Sequence, residues 1–105
     1  MTTNPIMRGT TPKNIFTIPF STALIKDLRI SYGQNHKELF VKDIYDCELV
    51  GNSITVCLSQ EDTLKLNCGL RLEIQVRVLT EGNEVLTSEI IVVDVGRCLN
   101  DEVLV

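Results

Sequence analysis

Apolar and polar residues alternate with period two along most of the chain, and no segment sustains the period of a helix. The clearest stretch is LRLEIQVRVLT. Leu70, Leu72, Ile74, Val76 and Val78 fall on one face, and Arg71, Glu73, Gln75 and Arg77 on the other. One dry face and one wet face predict an antiparallel sheet that covers a core on one side. The residues EGN then turn the chain, and EVLTSEIIVVDV returns as a further strand. Its run from Ile90 to Val93 is apolar on both faces, which predicts burial on both sides or contact with a partner.

Two hairpins follow from the same pattern. YDCELV-GN-SITVCLS predicts a two-residue loop at Gly51-Asn52. Its register sets Val50 against Ser53, Leu49 against Ile54, Cys47 against Val56 and Tyr45 against Leu58. Cys57 then shares the other face with Thr55 and is expected to be the most accessible thiol. KDLRISYGQNHKELFVKD predicts a turn centred on Asn35-His36, with Tyr32 against Leu39, Ile30 against Val41, and Leu28 on the same face. Asn accepts positive φ more readily than His, so a looser loop is the alternative there.

SQEDTLKL breaks the strand pattern. Ser59 and Asp62 are spaced like a capping box, which predicts one helical turn pinned by Leu64 and Leu66 and crossing between sheets. Near the N-terminus, RGTTPKNIFTIPF puts Phe16, Ile18 and Phe20 on one face between Pro12 and Pro19, and neither proline can donate to a ladder. This is the pattern of an edge strand, belonging either to the chain's own sheet or to that of a neighbouring subunit. Val103-Leu104-Val105 leaves the same two outcomes open. About seven short strands and one helical turn predict an all-β fold, a small antiparallel β-sandwich of immunoglobulin-like general architecture. The 105 residues carry no repeat or linker, so a single domain is expected over residues 8–105 behind a disordered or extended leader, residues 1–7.

Composition narrows the function classes. Hydrophobic residues make up 44% of the chain, but aromatics only 5%, and Trp is absent. Such a supply suits a compact β core better than a large ligand pocket. The net charge is −4 and the basic residues are scattered. Without a basic face or stacking aromatics, a nucleic-acid partner is not expected. No stretch approaches the ~18 uninterrupted apolar residues of a membrane span, and MTTNPIMRGTTP lacks the apolar centre of a secretory signal. Synthesis in the cytoplasm without a membrane partner is the expectation. Cys47, Cys57, Cys68 and Cys98 contain no CxxC pair and read as reduced thiols instead of zinc ligands.

Candidate chemistry is sparse. His36 is the sole histidine and sits in a polar turn, a poor scaffold for nucleophilic catalysis. No GxSxG, HExxH, P-loop or GxGxxG motif occurs, and Gly51, Gly69, Gly82 and Gly96 read as isolated turn or bulge glycines. Glu61-Asp62 and Asp101-Glu102 read as solvated charge, whereas acid–base work needs carboxylates in different, partly dry environments. Asp43, Asp46 and Glu48 lack the glycine and terminal glutamate of a calcium loop. No catalytic, cofactor-binding or metal-ligating residue is assigned, and no enzymatic activity or cofactor is expected.

Two resemblances remain. EDTLKLNC is similar to the acidic-threonine turn before a strand cysteine in immunoglobulin variable domains. Leu66, however, stands where the corner tyrosine would, and no core Trp exists, so the likeness supports a sandwich crossover and not membership. The combination of MRGTTPKNIFTIPF, LIKDLRISYGQN, SQEDTLKLNC, EIQVRVLT and VGRCLNDEVLV resembles a group of short proteins carried in prophage-type structural gene clusters of Gram-positive gut bacteria. The likeness runs from Met7 to Val105, and those proteins commonly begin at the Met equivalent to Met7. It implies a non-enzymatic structural or virion-assembly module of tail, neck or baseplate. Such a module would act through sheet edges on other phage structural proteins or on copies of itself, and would be incorporated in a virion. The alternative is a small sandwich that binds a carbohydrate or cell-surface ligand.

Overall fold

In the computed structural model, which describes residues 5–105, the alternating segments pair into two unequal antiparallel sheets. The small sheet has β2 (Lys13–Thr17), β5 (Cys47–Val50) and β6 (Ser53–Cys57) in the order β2-β6-β5. The large sheet orders β4 (Lys37–Asp43), β3 (Ile25–Gln34), β7 (Leu72–Thr80) and β8 (Val85–Thr87), with β9 (Ile91–Val93) also on β7. A short parallel pair joins β1 (Ile6–Met7) to β10 (Val95–Gly96). The seven expected strands are all present. Splitting the last into β8, β9 and β10 and adding β1 brings the total among the described residues to ten.

Packing follows the alternation. Leu28, Ile30 and Tyr32 of β3 and Leu72, Ile74, Val76 and Val78 of β7 are buried against Ile54 and Val56 of β6. Leu70 was expected on this face, but it is 40% exposed and precedes the strand. The reason is the buried Gln34 amide. Its Nε2 donates to the carbonyls of Asn67 and Leu70, and its Oε1 accepts from the Asn67 N–H, so the chain is held in a turn there.

The Gly51-Asn52 hairpin has the expected register, with Cys47 opposite Val56, Leu49 opposite Ile54 and Val50 opposite Ser53. It stops short of Tyr45. Asp43 and Asp46 cap each other's backbone and wind Ile44–Asp46 into a 3-10 turn, which leaves Tyr45 94% exposed instead of facing Leu58. The Asn35-His36 turn is tight, with both residues at positive φ (53° and 63°) and Gln34 opposite Lys37. Beyond it the register differs from the expected one. Gly33 pairs with Glu38 and Tyr32 with Phe40, so Leu39 is an extra, bulged residue. The bulge turns Phe40 toward the core, where its ring stacks on Tyr32 with centroids 4.8 Å apart.

A second bulge explains the apolar run after β8. Arg77 opposes Thr87 and Ile74 opposes Ile91, so three steps along β7 match four along its partner. Ser88 fills the gap by donating its N–H to the Val76 carbonyl and accepting the Val76 N–H on Oγ. Val93 is therefore buried while Ile90 and Val92 are exposed, and the run is not buried on both faces.

The arm at 8–20 completes the chain's own small sheet: β2 pairs antiparallel with β6, from Lys13 opposite Cys57 to Thr17 opposite Ser53. Pro12 and Pro19 bracket it, and the Pro12 carbonyl accepts from the Leu58 N–H at 2.9 Å. The crossover helix α1 (Gln60–Leu64) carries the expected Ser59–Asp62 capping box, and Leu66 is buried behind it. The last residues lie back along this helix. The Gln60 amide binds the Leu104 backbone through both its N–H and its carbonyl, at 2.8 Å each, while Leu104 and Val105 keep their side chains exposed. Within the expected leader, Ile6 is buried in the core and the Ile6 N–H donates to the Asp94 carbonyl, so the packed unit extends at least to Ile6. Residues 1–4 of that leader lie outside the described residues. Among the described residues no helix is long and apolar enough to cross a membrane.

Gly33 is the position where the bulge leaves least room, because an added Cβ would sit 2.5 Å from the Lys37 carbonyl oxygen. Gly33→Ala should destabilise the protein by about 1–3 kcal/mol through overpacking. Gly82→Ala, whose Cβ would meet Thr80 Oγ1 at an ordinary 3.8 Å, should stay within about 0.5 kcal/mol of wild type. Urea denaturation of both variants checks the difference.

Candidate functional site

The polar residues singled out in the sequence do not converge. His36 stays at its turn with its side chain 91% exposed, Nδ1 4.0 Å from Glu73 Oε2. Its backbone N–H donates to Glu73 Oε1 at 3.0 Å, so that carboxylate braces the turn. Asp101 pairs with Arg8 at 3.0 Å, and the same guanidinium donates to the Leu64 carbonyl. Asp43 and Asp46 are used as caps, and among the described residues no three His, Cys, Asp or Glu side chains come together as a metal-binding group.

Asp62 corrects the expectation of solvated charge. It is buried, and its Oδ2 lies 2.7 Å from Lys42 Nζ and 3.0 Å from the Ser59 N–H. Burial alone would raise its pKa. The hydrogen bonds from Lys42 and the Ser59 backbone outweigh burial and hold the carboxyl below its ordinary value. The pair ties α1 to β4 beside the Phe40 ring, over which Lys42 and Lys65 both place their ammonium groups, at 5.9 and 5.7 Å. Next to it, burial pushes the Tyr32 hydroxyl well above its usual range, with Cys47 and Asp62 adding to the effect. The hydroxyl donates to Asn14 Oδ1 at 2.7 Å. Every member of this cluster is engaged in holding β2, β3, β4 and α1 together.

Cys57 and Cys68 are exposed, whereas Cys47 and Cys98 are half-buried. Burial, then Asp46 and Asp43, push the Cys47 thiol up to about 11, and its Sγ donates to the Asp43 carbonyl.

What does converge is apolar surface. The large sheet is four strands wide along β4-β3-β7-β8, and the small one three. On the β2 side the two sheets stand open, leaving a groove of about 680 Å³. Phe16, Ile18 and Phe20 form one wall and Val76, Leu86 and Ile91 the other. A second hollow of about 340 Å³ continues past Ile15 and Phe16 toward Pro5 and Ile6. Along the groove Ile15 is 63% exposed, and Leu86 of the opposite wall is also exposed.

Both strands that frame the groove have an unpaired outer edge among the described residues. In β2 the Pro12 carbonyl and the Ile18 N–H point at the β6 side, so by alternation Lys13, Ile15 and Thr17 aim their N–H and C=O groups outward. In β8 the Glu84 carbonyl and the Ser88 N–H point at β7, so Val85 and Thr87 aim theirs outward. Open hydrogen-bonding edges on either side of an apolar slot can accept an extended strand. The arm had drawn attention to Phe16, Ile18 and Phe20 in the sequence. Leu86 and Ile91 were missed as its opposite wall; Ile91 lies beyond Glu89, the extra residue that follows Ser88 in the second bulge.

Asp62 has a folded pKa below its unfolded value near 3.8. Its stabilisation is therefore complete above that value and lost as pH falls through the lower folded one. Asp62→Asn should cost about 2 kcal/mol near neutrality, less than for a fully dry pair, because Lys42 keeps 18% side-chain exposure. It should also flatten the decline of stability as pH falls below about 3.8; thermal melts across pH check both effects. Thiol labelling near pH 8 should modify Cys57 and Cys68 first. Cys47 should lag, its thiolate fraction roughly a hundredfold below that of an ordinary thiol.

Compared with protein-family models, curated proteins and solved structures, the chain matches none of them.

Proposed function

We propose that the protein is a non-enzymatic assembly module that engages other proteins through the free edges of its sheets. The observation that carries this reading is the apolar groove between β2 and β8–β9, framed on both sides by unpaired backbone groups. A small β-sandwich that leaves such a slot open gains both backbone hydrogen bonds and apolar burial when a strand fills it. The resemblance of Met7 to Val105 to proteins of prophage structural gene clusters supports partners among the structural proteins of a phage particle, in tail, neck or baseplate.

The carbohydrate-binding alternative finds less support. Sugar-binding faces use exposed aromatic rings, and here Tyr32 is buried while Phe16, Phe20 and Phe40 are half-buried. Tyr45, at 94% exposure, stands apart on the turn between β4 and β5.

The test is pairwise binding of the purified protein to the products of neighbouring genes, followed by co-elution and calorimetry. At least one structural gene product should bind. Leu86→Asp should weaken that binding at least about tenfold, since it places a charge in the apolar slot, while circular dichroism stays unchanged. Binding that ignores Leu86→Asp, or a strong hit on a glycan array with no protein partner, would overturn the reading.

A further inference from the structure

The two edges that frame the groove differ in charge. From Arg8 to Lys26 the chain has Arg8, Lys13 and Lys26 and no acidic residue. Between Arg77 and Arg97 it has Glu81, Glu84, Glu89 and Asp94 and no basic one. Some of these charges are already engaged. Arg8 pairs with Asp101, Lys26 reaches Asn83 at 3.4 Å, and Asp94 lies 3.4 Å from Arg71. On the edges themselves, Lys13 of β2 is exposed, and so are Glu84 and Glu89 on either side of β8.

We infer that the occupant of the groove's edge is a second copy of this chain, joined head to tail, with β2 of one copy pairing antiparallel to β8 of the next. The inference rests on the reading of the protein as an edge-acting assembly module and names the partner. Placing Ile15 opposite Thr87 of the next copy joins backbone groups that both point outward. It also sets Thr17 opposite Val85, whose groups point outward too. The same register puts Lys13 opposite Glu89, a cross-strand ion pair, and Phe16 opposite Leu86 on the groove face. The prolines limit the contact. Pro19 has no N–H to give, so the ladder ends before it.

Self-pairing of like edges lacks this match. Two β2 strands meeting at Ile15 would set Lys13 against Thr17 and leave the acidic edge unused. Two β8 edges would gather Glu84 and Glu89 of both copies at one seam. A head-to-tail contact uses two different edges, so each added copy presents a fresh β2 and a fresh β8, and growth continues to a ring or a filament.

Edge-blocked variants in light scattering test the proposal. Ile15 and Thr87 direct their N–H groups outward, so Ile15→Pro and Thr87→Pro each remove an edge donor without deleting a bond inside the chain. Wild type should grow in mass with concentration, and less so at high salt. Each proline variant alone should stay at the mass of one chain. Their equimolar mixture should form a dimer and stop, because one supplies only a free β8 edge and the other only a free β2 edge.

Charge reversal gives an independent arm should a proline disturb the fold. Lys13→Glu and Glu89→Lys should each weaken association about tenfold or more, and the variant carrying both should recover most of it. Three results would overturn the inference. They are wild type monomeric at every concentration, a Thr87→Pro variant that still self-associates, or a proline mixture that fails to dimerise although both variants are folded. If wild type is monomeric but binds a neighbouring gene product at these edges, the head-to-tail inference falls and the assembly reading stands. If it does neither, both fall.

Discussion

The long ladder between β3 and β7 is what the core is built on. The ladder runs from Ile25 opposite Thr80 to Gln34 opposite Leu72, and it carries Leu28, Ile30, Tyr32, Ile74, Val76 and Val78 on its inner face. Everything else covers that face or extends its edges. Strands sit about 4.8 Å apart, so a sheet four strands wide spans about 14 Å and one three strands wide about 10 Å. The shortfall is close to one strand. It falls on the β2 side, where Val76, Leu86 and Ile91 meet Phe16, Ile18 and Phe20 without closing over them. The groove is thus a consequence of sheet widths and not a local irregularity.

At the opposite side of the sandwich the same inner face is sealed by polar chemistry. The crossover α1 is only five residues long, too short to hold itself by helix formation. It is held by its capping box and by the ion pair from Asp62 to Lys42. A buried pair contributes little net stability, since desolvation offsets the attraction, but it discriminates among arrangements. Here it fixes one position of the crossover over β4, and the bulge at Leu39 turns Phe40 inward to stack on Tyr32. The polar constraint on one side and the open slot on the other make the molecule strongly asymmetric.

Much of this was legible in the sequence where local chemistry decides the outcome. The inner face of β7, the Gly51-Asn52 register, the Ser59–Asp62 cap and the proline-bracketed strand at 13–17 all follow from alternation and turn chemistry. The two register failures share a cause, and the others have their own. At Leu39 and at Glu89 one residue is inserted into a ladder, and alternation carries no mark of an insertion. Tyr45 was lost to a cap between Asp43 and Asp46, which competes with the strand for the same backbone. Asp62 read as solvated because its partner, Lys42, lies 20 positions away on another strand. The groove needed both sheets at once. Its arm side was visible as Phe16, Ile18 and Phe20, and its other wall was not.

Among the described residues β2 and β8 present free outer edges that a second strand can occupy. Hydrogen exchange resolved to single amides tests it most directly, across a dilution series of the wild-type chain. At high dilution Lys13, Ile15, Thr17, Val85 and Thr87 should exchange fast, beside slow exchange at Asn14, Phe16 and Ile18, which face β6. Protection of the outward set should then rise with concentration while the inward set stays constant. Outward amides already protected at the highest dilution would contradict the free edges, and outward amides exchanging fast at every concentration would contradict their occupation by a second copy.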